Sequence, residues 1–218
     1  MAILFRDRDD AGRRLAERLE AGSEPGRGIV LGIPRGGVSV ALPVAQKLQA
    51  PLDVFLARKL GVPGQEELAF GAVALGGAPY LDEQVIQAVG IREEQIQRIV
   101  AEAVTMLELR AELYRGEQPA IEVAGKTVVL VDDGIATGAS MFAAVRALRG
   151  LGPARLVVAV PVAPESTIRW LRSEVDELVC LHAPEDFYAV GQFYGDFGQV
   201  DDEEVTSLLR RARAQRRW

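Results

Sequence analysis

The run Val128-Val129-Leu130-Val131-Asp132-Asp133-Gly134-Ile135-Ala136-Thr137-Gly138-Ala139-Ser140 constrains this chain more than any other stretch. Successive apolar residues suit a strand covered on both faces, as in parallel sheets flanked by helices. That strand ends on two adjacent carboxylates, and a loop of small and hydroxyl-bearing residues then enters a helix-forming segment. In open α/β sheets, ligands bind at the carboxyl ends of the strands. Small residues there let the backbone wrap closely around a ligand. Free N–H groups and the helix N-terminus attract an anion, and the Thr137 and Ser140 hydroxyls add donors. Two acids would repel a bare phosphate, so Asp132 and Asp133 must face hydroxyl groups or a divalent cation. A sugar phosphate with free hydroxyls satisfies both halves of the run.

Other readings of these residues fail at particular positions. Asp133-Gly134 is a hairpin dipeptide, yet the segment after it forms helix rather than a second strand. Gly32 and Gly37 have the spacing of a nucleotide-binding P-loop, but Val38 stands where the phosphate-gripping Lys is required, and no Gly-x-Gly-x-x-Gly is present. A phosphate-accepting receiver domain would carry its acids near the N-terminus and needs no Gly/Thr/Ser loop.

Periodicity organises the rest. Asp7–Leu19 reads as a lead-in helix, Gly22–Gly28 as a turn, Ile29–Ile33 as a buried strand, Val38–Leu48 as a helix and Leu52–Ala57 as a second strand. Lys59–Glu67, polar and punctuated by Gly61, Pro63 and Gly64, reads as an exposed loop able to close over a site, ahead of a strand at Phe70–Leu75. Residues 82–114 read as helix broken at Gly90, with Ile96, Ile99, Val100, Ala103 and Leu107 on one face. Strands at Thr127–Val131, Arg155–Val160 and Glu177–Leu181 alternate with helices at Ala139–Leu148 and Pro164–Leu171, and Glu203–Arg213 closes the chain as a helix. This alternation predicts an α/β fold: an open, mostly parallel sheet with helices on both faces. Residues 1–218 are expected to form one domain, with 82–118 a helical insertion or hood within it.

Composition closes off several classes of function. Lys and Arg number 25 against 31 Asp and Glu, a formal charge of −6, so nucleic acid is not the expected partner. The one cysteine, Cys180, excludes an internal disulfide and a thiolate zinc site. The apolar start Ala2–Phe5 is cut off by Arg6-Asp7-Arg8-Asp9-Asp10, and no run reaches membrane-spanning length, so a soluble cytoplasmic protein is expected. His182, the single histidine, follows a strand and suits a structural hydrogen bond better than proton transfer. The tail arginines Arg210, Arg211, Arg213, Arg216 and Arg217 suit the C-terminus of a helix.

Val128–Ser140 resembles the 5-phosphoribosyl-1-pyrophosphate (PRPP) motif of type I phosphoribosyltransferases: apolar strand, acidic pair, two variable positions, then small-Thr-Gly-small-Ser/Thr. The resemblance implies that Asp132 and Asp133 meet the ribose hydroxyls, while Gly134, Ala136, Thr137, Gly138, Ala139 and Ser140 hold the 5-phosphate. Gly32-Ile33-Pro34-Arg35-Gly36-Gly37 is similar to the family's pyrophosphate loop, most of all in bacterial xanthine and guanine enzymes. Gly36 and Gly37 would offer amides there, and Arg35 a planar fork for phosphate oxygens. Arg58 and Lys59 stand where the family has a basic residue for pyrophosphate. Pro184-Glu185-Asp186-Phe187-Tyr188 is similar to a segment in which an aromatic side chain stacks on the base.

The 6-oxopurine branch usually has Asp where this chain has Ala136, and the adenine branch has Ala. The implied activity is transfer of the phosphoribosyl group of PRPP to a nucleobase, purine rather than pyrimidine, as in purine salvage, with release of pyrophosphate. The implied catalytic set is Asp132, Asp133, Arg35 and Lys59. The implied cofactor is Mg²⁺, held mainly by PRPP and water beside Asp132 and Asp133, and the implied assembly is a homodimer. The alternative is a regulatory protein that binds PRPP or a nucleotide without catalysis.

Overall fold

The computed structural model describes residues 3–20 and 28–214. In chain order the elements are α1 (Arg8–Glu20), β1 (Gly28–Gly32), α2 (Gly36–Lys47), β2 (Leu52–Val54), β3 (Ala57–Val62), β4 (Gln65–Ala74), β5 (Tyr80–Leu81), α3 (Glu83–Val89) and α4 (Glu93–Arg115). They continue with β6 (Thr127–Val131), α5 (Ala139–Gly150), β7 (Arg155–Val162), α6 (Glu165–Leu171), β8 (Glu177–His182), a short 3₁₀ turn at Val190–Phe193, and α7 (Asp202–Ala214). The expected turn at Gly22–Gly28 falls almost wholly outside the described residues, as do Arg216 and Arg217.

One sheet carries five parallel strands in the order β2-β1-β6-β7-β8. Its central strands are runs of Val, Ile and Leu because both faces are covered. On one face Val30, Val129, Val131, Val157 and Ala159 pack with α1, α2, α4 and α7. On the other, Ile29, Leu31, Val128, Leu130, Leu156 and Val158 pack with α5 and α6. The sequence reading of an open α/β sheet with helices on both faces is the fold that forms.

Two expectations change. The strand expected over Leu52–Ala57 ends at Val54, and the chain then leaves the parallel sheet. The segment Lys59–Glu67, expected as a loop, forms part of the hairpin β3–β4, which pairs with β5 in a separate antiparallel sheet. Leu60 and Val62 are buried on either side of half-buried Gly61, and Pro63-Gly64, with Gly64 at φ 79°, turns the chain. Proline followed by a positive-φ glycine favours a tight turn, and the loop reading weighed its turn residues above this alternation.

The break at Gly90 is real. The Asp82 carboxylate accepts from Gln84 N and Val85 N to start α3, and Gly90, at φ 71°, ends it. Ile96, Ala103 and Leu107 of α4 are buried, whereas Ile99 and Val100 are half-buried. The C-terminus of α4 is pinned by Arg115, whose Nε donates to both Asp53 oxygens at 3.0 Å and whose Nη2 donates to Val54 O at 2.9 Å.

Candidate functional site

Gly32 of β1 and Val131 of β6 are register partners, so the turns after these strands leave the sheet at one edge. The chain runs from β1 to β2 on one side, and β6 lies on the other, which makes this edge the topological switch point, where open α/β sheets bind ligands. Both sequence motifs sit there. Ile33 N donates to Val131 O at 2.9 Å, and the Arg35-Gly36-Gly37 turn lies directly on the acid pair. A Cβ at Gly37 would stand 2.8 Å from Val131 O and 2.9 Å from Asp132 Oδ1. One at Gly36 would overlap Asp133 Oδ2 and stand 2.7 Å from its Cγ. Neither position has room for a side chain, which is the physical reason for the glycine pair. Arg35 follows a cis peptide bond from Pro34 and is exposed beside the start of α2.

Asp132 and Asp133 are both half-buried. Asp133 N donates to Asp132 Oδ1 at 2.9 Å, and Arg8 Nε donates to Asp133 Oδ2 at 2.8 Å. Burial, reinforced by the Asp133 charge, pushes the Asp132 carboxyl well above the ordinary range. Burial also raises Asp133, against the pull of Arg8. Asp132 is held through Oδ1 and Asp133 through Oδ2. Each carboxylate therefore keeps one oxygen for the protein and leaves one acceptor, which matches a pair of neighbouring hydroxyls.

The loop beyond the acids is anchored at both ends and open in the middle. Ile135 N donates to Val162 O at 2.9 Å, and Ala136 O accepts from Thr167 Oγ at 3.3 Å. Gly134 presses on Val190 and Val162, and Gly138, at φ 82°, is the buried N-cap of α5. Ala136, Thr137, Ala139 and Ser140 are exposed at the start of this 12-residue helix, where backbone N–H groups and the helix dipole favour an anion.

The remaining predicted residues scatter around this centre. Phe187 is half-buried, with its ring 5.3 Å from Phe193, whereas Tyr188 is 78% exposed. Lys59 lies in β3, on a cleft of about 930 Å³ between the hairpin and α4, and neither the acid pair nor the Arg35 turn lines that cleft. His182 is exposed and packs in a T-shaped contact with Phe5, ring centroids 5.7 Å apart. Cys180, in β8, is half-buried, and burial pushes its thiol up to about 11.

Three residues that carry the site were not read from the sequence. Arg8 reaches Asp133 from the N-terminal helix, across 125 positions of chain. Tyr194 donates its hydroxyl to Asp133 O at 2.6 Å, and burial together with the Asp133 charge raises that phenol's pKa. Phe197 stacks on Arg8, with the guanidinium carbon 3.8 Å from the ring centre. Arg8 also donates through Nη1 to Gly198 O at 2.8 Å. Tyr194 and Phe197 lie just beyond the Pro184–Tyr188 segment, and the only local sign of Arg8 is the charged run Arg6–Asp10.

The model for the phosphoribosyl transferase domain matches residues 7–197. The chain belongs to that family. Two Mycobacterium tuberculosis proteins, from strains CDC 1551 and H37Rv and named provisionally as phosphoribosyl transferases, are 45% identical to it over 210 residues, or 96% of this chain. The match takes in 47% of each relative, so the chain spans about half the length of these curated proteins. The crystal structure of TT1426 from Thermus thermophilus superposes with a TM-score of 0.86 at 46% identity, covering 96% of this chain and 98% of that one. The phosphoribosyl transferase domain thus includes both motifs and Arg8. Among the described residues, no helix is long and apolar enough to cross a membrane.

Proposed function

We propose that this domain binds PRPP at the switch-point edge and transfers its phosphoribosyl group to a nucleobase, releasing pyrophosphate. The observation that carries the reading is the contact of two sequence-distant motifs, with Gly36 and Gly37 packed on Asp133 and Asp132. The open oxygens of Asp132 and Asp133 would accept from the two ribose hydroxyls. The backbone of Gly134, Ala136 and Thr137–Ser140, with the Thr137 and Ser140 hydroxyls, would hold the 5-phosphate. The Gly36 and Gly37 amides and the exposed Arg35 fork would face the pyrophosphate.

Attack by a ring nitrogen on the anomeric carbon would break its bond to pyrophosphate through a cation-like sugar, whose ribose the acid pair would orient. Among the described residues, no three His, Cys, Asp or Glu side chains converge as a metal cage. In this reading Mg²⁺ would be held mainly by PRPP and water near Asp132 and Asp133 and would neutralise the leaving group. Exposed Tyr188 is the stacking candidate for the base, with Phe187 packed behind it. A purine fits better than a pyrimidine, because the Arg-Gly-Gly turn resembles the purine enzymes.

The test is pyrophosphate release from PRPP and Mg²⁺ against a panel of purines, pyrimidines and orotate, with the Asp132→Asn, Asp133→Asn double variant as control. Release that requires one base and vanishes in the double variant supports the transferase. PRPP binding without release for any base would leave a regulatory binding domain, and phosphate release with no acceptor would indicate a hydrolase.

A further inference from the structure

Arg8 is 13% exposed at its side chain, and its guanidinium is held on two edges and one face. Its Nε holds Asp133 Oδ2, its Nη1 holds Gly198 O, and its face is covered by Phe197. A Cβ at Gly36 would stand 2.9 Å from Arg8 Nε, so the guanidinium lies directly beneath the pyrophosphate turn. Asp133 is also gripped through its backbone, where Tyr194 donates to Asp133 O. The N-terminal helix and the loop at 194–198 thus converge on one carboxylate of the pair.

We infer that Arg8 is the positioning residue for ribose recognition: it fixes the rotamer of Asp133, so that one oxygen is consumed and the other is presented to a ribose hydroxyl. The inference rests on the proposed PRPP site and adds a residue outside both sequence motifs. An ion pair this enclosed, with a flat donor stacked on a ring, holds its partner in one geometry. Without Arg8, Asp133 gains rotamer freedom beside a second acid, and the hydroxyl acceptor is no longer preset. Phe197 and Gly198 act one step further out, holding Arg8.

Arg8 works through the ribose contact, so its loss should weaken ligands that contain ribose and spare pyrophosphate alone. The experiment titrates PRPP and, separately, pyrophosphate, each with Mg²⁺, into the intact protein and into Arg8→Gln, Arg8→Lys and Arg14→Gln. Arg14 lies on the same helix and pairs with Asp10 at 2.9 Å, away from the acid pair. The expected result is a loss of PRPP affinity on the order of tenfold in Arg8→Gln, with pyrophosphate affinity kept. Arg8→Lys should recover part of the loss by restoring charge without the fork, and Arg14→Gln should bind PRPP as the intact protein does. Equal binding of PRPP by Arg8→Gln and the intact protein would overturn the inference alone. So would parallel loss of PRPP and pyrophosphate, which would mark a collapsed site. An intact protein that fails to bind PRPP would overturn the functional reading and this inference with it.

Discussion

At Gly36 and Gly37 the site is built by the absence of side chains. The Gly36 backbone lies outside the positive-φ region, so replacement costs no backbone strain there, and the penalty is the overlap of a Cβ with Asp133 Oδ2. Gly36→Ala should therefore keep the fold, seen as an unchanged circular dichroism spectrum, and lose PRPP affinity by about tenfold or more as the carboxylate is displaced. A Gly36→Ala protein that binds PRPP normally would remove the close contact from the account. Asp176 gives a prediction of a different kind. The backbone N–H of Leu156 and the guanidinium of Arg149 hold its carboxyl below the ordinary value of 3.8. A depressed folded-state pKa contributes stability that is complete above the unfolded value and is lost as pH falls through the folded one. Urea midpoints measured from pH 6 down to pH 2 should fall less steeply for Asp176→Asn than for the intact protein, while at pH 6 the variant should be the less stable of the two.

Between elements, two polar ties hold α4. Arg115 and Asp53 have side chains 9% and 3% exposed, and Asp53 also accepts from Val54 N and Ile121 N. Removing one partner leaves a buried charge uncompensated, so Asp53→Ala should cost about 3–5 kcal/mol in equilibrium unfolding. At the other tie, Tyr114 donates to Asp202 at 2.5 Å and links α4 to α7; burial and that carboxylate push the phenol up to about 12. Tyr114→Phe should cost about 0.5–1.5 kcal/mol in the same measurement, the net worth of an ordinary hydrogen bond. Elements with an internal period were legible in the sequence: the apolar strands ending at Gly32 and Val131, the helices after both turns, and the stop at Gly90. The hairpin β3–β4 was not, because Gly61, Pro63 and Gly64 carry loop chemistry, and only burial of Leu60 and Val62 by neighbouring elements selects a strand. Arg8, Tyr194 and Phe197 escaped for a related reason. Their partners are 125, 61 and 189 positions away, and no local period encodes a contact at such separation.

For the whole molecule, the sheet order β2-β1-β6-β7-β8 makes neighbours of two turns separated by about half the chain. That topology joins the Arg35-Gly36-Gly37 turn to the loop at Gly134–Ser140, with the acids between them, while the N-terminal helix and the 194–198 loop close around Asp133. The central claim is that these parts form a single PRPP site in which Asp132 and Asp133 read the ribose. The most direct measurement is calorimetric titration of PRPP with Mg²⁺ into the intact protein and into the Asp132→Asn, Asp133→Asn double variant, with folding of the variant checked by its melting curve. The account predicts one site per chain in the intact protein and a loss of affinity on the order of a hundredfold in a folded double variant. Equal affinity in the two proteins, or no binding to the intact one, would contradict it.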